Sequence, residues 1–479
     1  MTDHADSANL ELTSAQMQAM GENVLRRVTA HLAALPDMPS RGDYAGIEEL
    51  CRGMREAPPE DGTPLDKLLD PLFSEWIPRS FGTAGSGYLA YIPGGGVYTA
   101  ALADFISNTT NRYTGVWEGA PALVQLEANA LDWLREWMQF PATARGLFTT
   151  GGSMAMFNAI ACAREKLLGT DIRRGTLYVS SQSHHSITKA AKLAGIAHDR
   201  VREIDVDGAY RMRVDALEAA IASDHAAGLK PFMVFSTAGT TNTGAVDPID
   251  AVADIAARDG LWHHVDGAYG GCFHMVPQLR PLLHGLPRAD SITLDPHKGL
   301  FLPYGTGALL VRDGEALRAL HSSTAGYLPD NQVEFYDPAQ YGPDLSRGFP
   351  GLRVWLTLKF YGAARYRAAL AEKRALAVWA AAEVARIPGV VMDAPPQLSL
   401  FAFHLEGPGL DTLESQNAAT RALMERVTAR GDVMLTGAQV GKRFLGRVCV
   451  LSFRTRHADM ETCVQQLAEE AAALVKAGG

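Results

Sequence analysis

From about Gly146 the sequence alternates short apolar runs with stretches of helical periodicity, and this alternation constrains the fold more than any other feature of the chain. Parallel strands need a crossover between them, and a helix supplies it while covering the sheet. The runs predict strands over 147–150, 176–180, 202–206, 231–236, 261–265, 291–294 and 308–312, with helices over 155–168, 214–226 and 249–258. The expected fold is α/β, with a large domain on a mainly parallel seven-stranded sheet.

The flanking stretches read differently. Apolar residues recur at helical spacing over 12–35, ahead of a Pro/Gly-rich stretch over 36–42. One amphipathic helix cannot bury its own face, so it needs a neighbouring domain or subunit. Residues 58–96 are rich in Pro and Gly and include Tyr91-Ile-Pro-Gly-Gly-Gly96, which predicts connecting, lid-like structure. A long helical pattern follows Gly351 through Val384. Strands over 398–404 and 447–452 and a helix over 458–477 then predict a separate small α+β domain. The expected division is 1–96 as an N-terminal helical, dimerising segment, 97–350 as the large domain and 351–479 as the small C-terminal domain.

Charge narrows the partners. Forty-four basic against fifty-three acidic residues give a net charge of −9 with no basic block, which disfavours nucleic acid and anionic membranes and favours a small molecule. The five cysteines are scattered, with no C-x-x-C pair, as expected of reduced thiols in a cytosol. No apolar run reaches the length of a membrane span, and acidic residues stand near Met1 where a signal peptide carries basic ones, so the expected location is cytoplasmic.

In open α/β sheets ligands lie beyond the carboxyl ends of the strands, and four motifs fall there. Asp295-Pro-His-Lys298 follows the strand over 291–294; a buried lysine loses its proton readily and condenses with an aldehyde, although most lysines are solvated. His264-Val-Asp266-Gly-Ala268-Tyr269 ends the strand over 261–265, placing a carboxylate that can face a ring nitrogen or merely serve a turn. Thr149-Thr-Gly151-Gly152-Ser153 opens a helix, as a phosphate cradle does and as a plain tight turn also does. Ser181-Gln-Ser-His184-His185-Ser offers an imidazole to a planar ring; adjacent residues point opposite ways and no third ligand has suitable spacing, so a metal is not expected. Each motif alone is ambiguous. Together they meet different needs of one cofactor.

With Tyr88-Leu-Ala-Tyr-Ile-Pro93, Thr240-Thr241 and Arg347-Gly-Phe-Pro-Gly-Leu-Arg-Val-Trp355, these motifs resemble the group II pyridoxal-phosphate decarboxylases of fold type I, the aspartate aminotransferase-like class, over about 88–456. The resemblance is closest to the aromatic-L-amino-acid enzymes. It implies pyridoxal 5′-phosphate as cofactor, Lys298 as the Schiff-base lysine, Asp266 as partner of the pyridine nitrogen and His184 stacked on the ring. It further implies Gly152, Ser153 and His297 near the phosphate, with Thr241 and Ala268 lining the cofactor. It implies a homodimer acting on a small amino acid, aromatic by resemblance, and a mobile loop ahead of Arg347 whose tyrosine returns a proton to the substrate. Tyr336 and Tyr341 compete for that role, and the gapped match favours Tyr336.

The sequence also departs from the family pattern. Gly94-Gly-Gly96 stands where the animal aromatic enzymes place a hydroxyl residue near the substrate, which leaves substrate choice open, and Gly299 replaces a bulky residue after the lysine. Asp295 stands in place of an asparagine; a carboxylate beside a phosphate is unfavourable unless paired or turned away, so it is not expected in the site. Three other readings compete with decarboxylation. One is a decarboxylation-dependent aldehyde synthase, against which His184 argues. A second is a carbon–carbon lyase of phosphorylated amino alcohols. The third is a non-catalytic cofactor-binding module, for which the chain lacks a basic helix-turn-helix segment.

Overall fold

Residues 9–322 and 334–478 are described by a computed structural model. Seven strands form the main sheet: β1 Arg145–Thr149, β2 Gly175–Ser180, β3 Val201–Ile204, β4 Lys230–Thr237, β5 Trp262–Gly267, β6 Ser291–Leu294 and β7 Gly307–Val311. Every residue of β2, β5, β6 and β7 is buried, because helices cover both faces. The spatial order is β1-β7-β6-β5-β4-β2-β3. β7 runs antiparallel to both of its neighbours, and the other pairings are parallel. The fold is the mainly parallel seven-stranded α/β sheet that the sequence pattern predicts.

This order reverses at one place. β2 leads outward to the edge strand β3, whereas β4 leads the other way to β5, so a crevice opens at the carboxyl ends of β2 and β4. One face of the sheet is covered by the helix Gly152–Leu167, whose buried side is mostly small: Ala155, Ala159, Ala161, Cys162 and Ala163 let its backbone approach the strands closely. The helices Val214–Ala226 and Ile249–Asp259 contribute Leu217, Ile221, Val252 and Ile255 to a cluster with Tyr178 and Val234 of the sheet.

The C-terminal part has its own core, in which Phe401, Phe403, Leu423, Val427 and Leu467 meet. Its sheet holds β8 Val390–Ala394, β9 Leu400–Leu405, β10 Thr436–Val440 and β11 Arg443–Cys449, antiparallel in the order β10-β11-β9-β8. β8, β10 and the helix Leu413–Ala429 are elements that the sequence pattern did not single out, and β11 begins four residues before the predicted strand. The single helical pattern expected after Gly351 is two helices, Pro350–Tyr361 and Ala363–Val384, broken at Gly362, whose φ of 77° lies in the left-handed region that favours glycine.

The segment read as lid-like is in part the opposite of a lid. Tyr88, Leu89 and Ala90 are buried, the Leu89 N–H donates to the Met434 carbonyl at 3.1 Å, and the Leu89 carbonyl accepts from Cys449 at 3.0 Å. These residues tie the N-terminal region to the small sheet. The predicted opening helix forms as Ser14–Ala34, capped by Thr13 and Gln16, and buries none of its residues; Met17, Met20, Val24 and Leu25 are exposed. Among the described residues no helix is long and apolar enough to cross a membrane.

Candidate active site

Parallel pairing of β5 with β6 aligns Asp266 with Thr293 and Gly267 with Leu294, so Asp266 and the turn carrying Lys298 emerge side by side at the carboxyl edge. The turn Pro296–Gly299 is short, and the Lys298 N–H donates to the Asp295 carbonyl at 2.8 Å. It is held from two sides. Phe301 takes a left-handed φ of 59°, a conformation costing about 1–2 kcal/mol for a residue with a Cβ, and its carbonyl accepts from Val97 at 2.8 Å. Gly94 lies so close to the turn that a Cβ there would sit 2.0 Å from the His297 carbonyl oxygen, so the Gly94-Gly-Gly96 run is needed where the loop crosses the lysine's turn.

A cavity of about 400 Å³ opens above these strand ends. Lys298, Asp266, His184, Gly152, Ser153, Thr241, Ala268 and His297 all line it, so eight of the nine residues named from the sequence converge on one space. His184 arrives from the turn after β2 and Thr241 from the turn after β4, on the two sides of the crevice where the strand order reverses.

Burial sets the charge states. It pushes the Asp266 carboxyl up to about 6, opposed by the nearby Lys298 ammonium and by the Ala268 N–H, which donates to Oδ1 at 3.1 Å. A cation placed beside Asp266 would restore its ionised form. Burial, then the neighbouring His185 and Lys298, lower His184 to about 4, so its ring is neutral at pH 7. The Ser186 N–H donates to His184 Nδ1 at 3.3 Å, which leaves the ring proton on Nε2. His297 donates through Nδ1 to the Thr306 carbonyl at 2.8 Å and is likewise held neutral by burial, although Asp295 pulls the other way.

At one end of the cavity the helix Gly152–Leu167 begins, and the N–H groups of Gly152 and Ser153 in its first turn have no partner within the helix. Gly307 of β7 comes so close that a Cβ there would lie 2.6 Å from Gly151, so the cradle is packed down onto the sheet. A Cβ at Gly152 would stand 3.2 Å from Asp295 Oδ2 and narrow the cradle. Helix N–H donors at one end, a buried carboxylate at Asp266, an imidazole face and an amine suit a phosphorylated pyridine aldehyde.

Two residues near the cavity escaped sequence reasoning. Asp295, set aside as unfavourable beside a phosphate, lines the cavity with 2% exposure, and its Oδ2 lies 2.8 Å from Lys298 Nζ. The signal was its place three residues before the lysine. Arg447 of β11 is 4% exposed and faces no carboxylate within 4 Å among the described residues; it donates to the Asn242 carbonyl at 3.1 Å, the Thr436 hydroxyl at 3.0 Å and the Tyr91 carbonyl at 3.3 Å. It thereby joins the turn bearing Thr241, the small sheet and the 88–96 segment. Nothing in an apolar strand pattern marks an arginine for that task.

Tyr336 is the exception among the predicted residues. Neither it nor Tyr341 lines the cavity of Lys298. Their rings stack with centroids 5.3 Å apart, and the Tyr336 hydroxyl is buried without a hydrogen-bond partner among the described residues. Tyr336 borders a separate cavity of about 260 Å³ with Gln125, Asp132 and Arg135 of the helix Pro121–Trp137. The following segment is pinned to that helix, because Arg347 Nη2 reaches Glu127 Oε1 at 2.5 Å and Gly351 N–H donates to Glu127 Oε2 at 3.2 Å. Within one chain, then, Tyr336 borders this second cavity and not that of Lys298. Of the loop expected to carry a proton donor, residues 323–333 lie outside the described residues.

A family profile described as the pyridoxal-dependent decarboxylase conserved domain matches residues 80–406. The chain is 31% identical over 470 residues to the aromatic-L-amino-acid decarboxylase of Bacillus atrophaeus, covering 97% of this chain and 98% of that one. It is 28% identical to the 4-hydroxyphenylacetaldehyde synthase of Rhodiola rosea, over 87% of each chain. The crystal structure of Oryza sativa TDC with PLP and tryptamine superposes with a TM-score of 0.91 at 27% identity, covering 98% of this chain and all of that one.

Proposed function

This chain belongs to the pyridoxal-dependent decarboxylases, and from that premise we propose that it removes the α-carboxyl group of an aromatic L-amino acid, releasing the amine and carbon dioxide, as a homodimer in the cytoplasm. The class is a pyridoxal-phosphate-dependent amino acid decarboxylase. The observation that carries the assignment of roles is the convergence of Lys298, Asp266, His184 and the start of the helix Gly152–Leu167 on one cavity.

Pyridoxal phosphate, when bound, supplies an electron sink for the bond that breaks at the substrate's Cα. Lys298 is the residue that would hold its aldehyde carbon, and Asp266 the one that would face its ring nitrogen. The apolar surroundings that raise the Asp266 carboxyl make it a strong partner for a cation, since little water competes there. His184, neutral and fixed through Nδ1 by Ser186, would present a flat face to the ring and an Nε2–H to the cavity. Gly152 and Ser153 would donate to the phosphate, with His297 beside it, and Thr241 and Ala268 would close the sides. The aromatic class rests on the Bacillus and Oryza relatives.

A second copy of the chain is the natural cover for the opening helix, whose Met17, Met20, Val24 and Leu25 are left exposed by the described residues. The exposed Leu102, Phe105 and Ile106 of the helix Tyr98–Thr110 add to that apolar surface. Five unpaired cysteines, four of them buried, favour a reducing compartment. The test is to load the purified protein with cofactor and offer L-tryptophan, L-tyrosine, L-phenylalanine and non-aromatic amino acids, assaying carbon dioxide, amine, aldehyde and peroxide. Amine and carbon dioxide from an aromatic substrate are expected. Aldehyde with peroxide would move the chain to the synthase reading that the Rhodiola relative keeps open.

A further inference from the structure

Asp295 is a buried carboxylate with a single cation beside it among the described residues. Its Oδ2 lies 2.8 Å from Lys298 Nζ, and that is the only ion pair of Lys298 among the described residues. The other basic group in reach, His297, faces Oδ2 through Nε2 at 3.7 Å. Because His297 spends its Nδ1–H on the Thr306 carbonyl and burial keeps the ring neutral, Nε2 brings a lone pair and no positive charge. The second oxygen, Oδ1, is buried with no hydrogen-bond partner among the described residues, and both oxygens lie close to Gly152 at the start of the cradle. A buried carboxylate with one oxygen free is costly unless its charge is answered, and among the described residues the lysine nitrogen answers it.

We propose that Asp295 is a positioning residue for Lys298, the counter-ion that holds the lysine nitrogen at the edge of the cradle both when the amine is free and when it is joined to the cofactor. Asp266, on the neighbouring strand, and the Lys298 ammonium influence each other electrostatically without forming an ion pair, so the carboxylate in contact with the lysine nitrogen is that of Asp295. The spacing follows from the turn. Lys298 stands three residues after Asp295 in a single helical turn, which brings both side chains to one face. The carboxylate also explains why Gly152 carries no side chain, since a Cβ there would meet both of its oxygens, at 3.2 and 3.4 Å.

The proposal rests on the reading that Lys298 bonds the cofactor, and the experiment separates the two. The holoenzyme and its Asp295→Asn and Asp295→Glu variants are titrated through the visible absorbance of the lysine-bound cofactor, with Lys298→Ala as control. A carboxylate in contact with the nitrogen favours its protonated form, so Asp295→Asn lowers the midpoint of the titration by about one pH unit or more, while Asp295→Glu stays closer to the original. Far-UV circular dichroism and melting of the cofactor-free variants check that they fold. If Asp295→Asn does not retain cofactor, the cofactor-free protein is treated with pyridoxal across pH, reduced with borohydride and mapped. The pH at which half of Lys298 is modified then falls in the variant. A midpoint for Asp295→Asn within about 0.3 unit of the unaltered protein overturns the proposal. An aldimine persisting in Lys298→Ala, fixed to another lysine by borohydride, would instead overturn the reading on which it rests.

Discussion

Replacing Arg447 by methionine tests whether the cavity is held open by a tie between three segments. The guanidinium donates to Asn242, Thr436 and Tyr91 over 3.0–3.3 Å. Hydrogen bonds from a charged donor contribute about 1.5–3 kcal/mol each, and a carbonyl left without a donor away from water costs about 1–3 kcal/mol. Two carbonyls lose their donor, whereas the Thr436 hydroxyl keeps the Tyr91 N–H at 3.3 Å. Against that loss, the variant no longer buries a cation with no carboxylate beside it, which returns part of the energy. The net is a destabilisation of about 2–4 kcal/mol, since methionine refills the volume of the stem. For a chain of this length about 1–2 °C of Tm goes with each kcal/mol, so a fall of about 2–8 °C is expected by differential scanning fluorimetry. If about 1.4 kcal/mol of the loss is felt at the turn bearing Thr241, cofactor binding weakens about tenfold, measurable by titrating the cofactor-free protein. Arg447→Lys should fall between the two, because one ammonium cannot serve three acceptors in that plane. A Tm within 1 °C and an unchanged cofactor affinity in Arg447→Met would refute the reasoning.

Other outcomes follow from single distances and charge states. Gly94→Ala places a Cβ 2.0 Å from the His297 carbonyl oxygen, a backbone atom that cannot step aside, so cofactor retention should drop at least tenfold in gel-filtered protein; full retention would mean the loop does not press on the lysine's turn. Tyr336→Phe removes a buried hydroxyl with no partner among the described residues, so kcat should stay within about threefold and Tm should hold or rise; a hundredfold loss of kcat would place Tyr336 in the chemistry. Acid should destabilise the cofactor-free protein between pH 6.5 and 4, read as Tm against pH. Burial lowers His263 and His264 to about 3 and His184 to about 4, so the unfolded chain takes up protons that the folded one refuses and stability falls as pH falls. Asp247 and Asp266, pushed up to about 6, act in the opposite sense but are outnumbered. A Tm that climbs on acidification across that window would contradict the assignment.

The large sheet was legible because its strands are buried on both faces and read as continuous apolar runs, as at Ser291–Leu294 and Gly307–Val311. The cavity residues were legible for a related reason: a strand end followed by Asp266 or Lys298 is a local pattern. The small domain hid its edges. β8 and β10 are partly exposed, with burial interrupted along each strand, so neither stands out as an apolar run. Arg447 and the tie at Leu89 depend on contacts between residues hundreds of positions apart, which no local window contains. Where Tyr336 sits was not legible, because a tyrosine in a loop is compatible with chemistry and with packing alike, and its stacking on Tyr341 and its separate cavity appear only in three dimensions. Asp295 was set aside by a correct principle applied without its partner, since a carboxylate near a phosphate is tolerable once Lys298 lies 2.8 Å away.

The most direct test of the account is to reduce the cofactor-loaded protein with borohydride, digest it and locate the pyridoxyl group by mass spectrometry. Lys298, which stands in the cavity with Asp266 and His184, is expected to carry all of it. A pyridoxyl group on any other lysine, with Lys298 unmodified, would contradict the account at its centre.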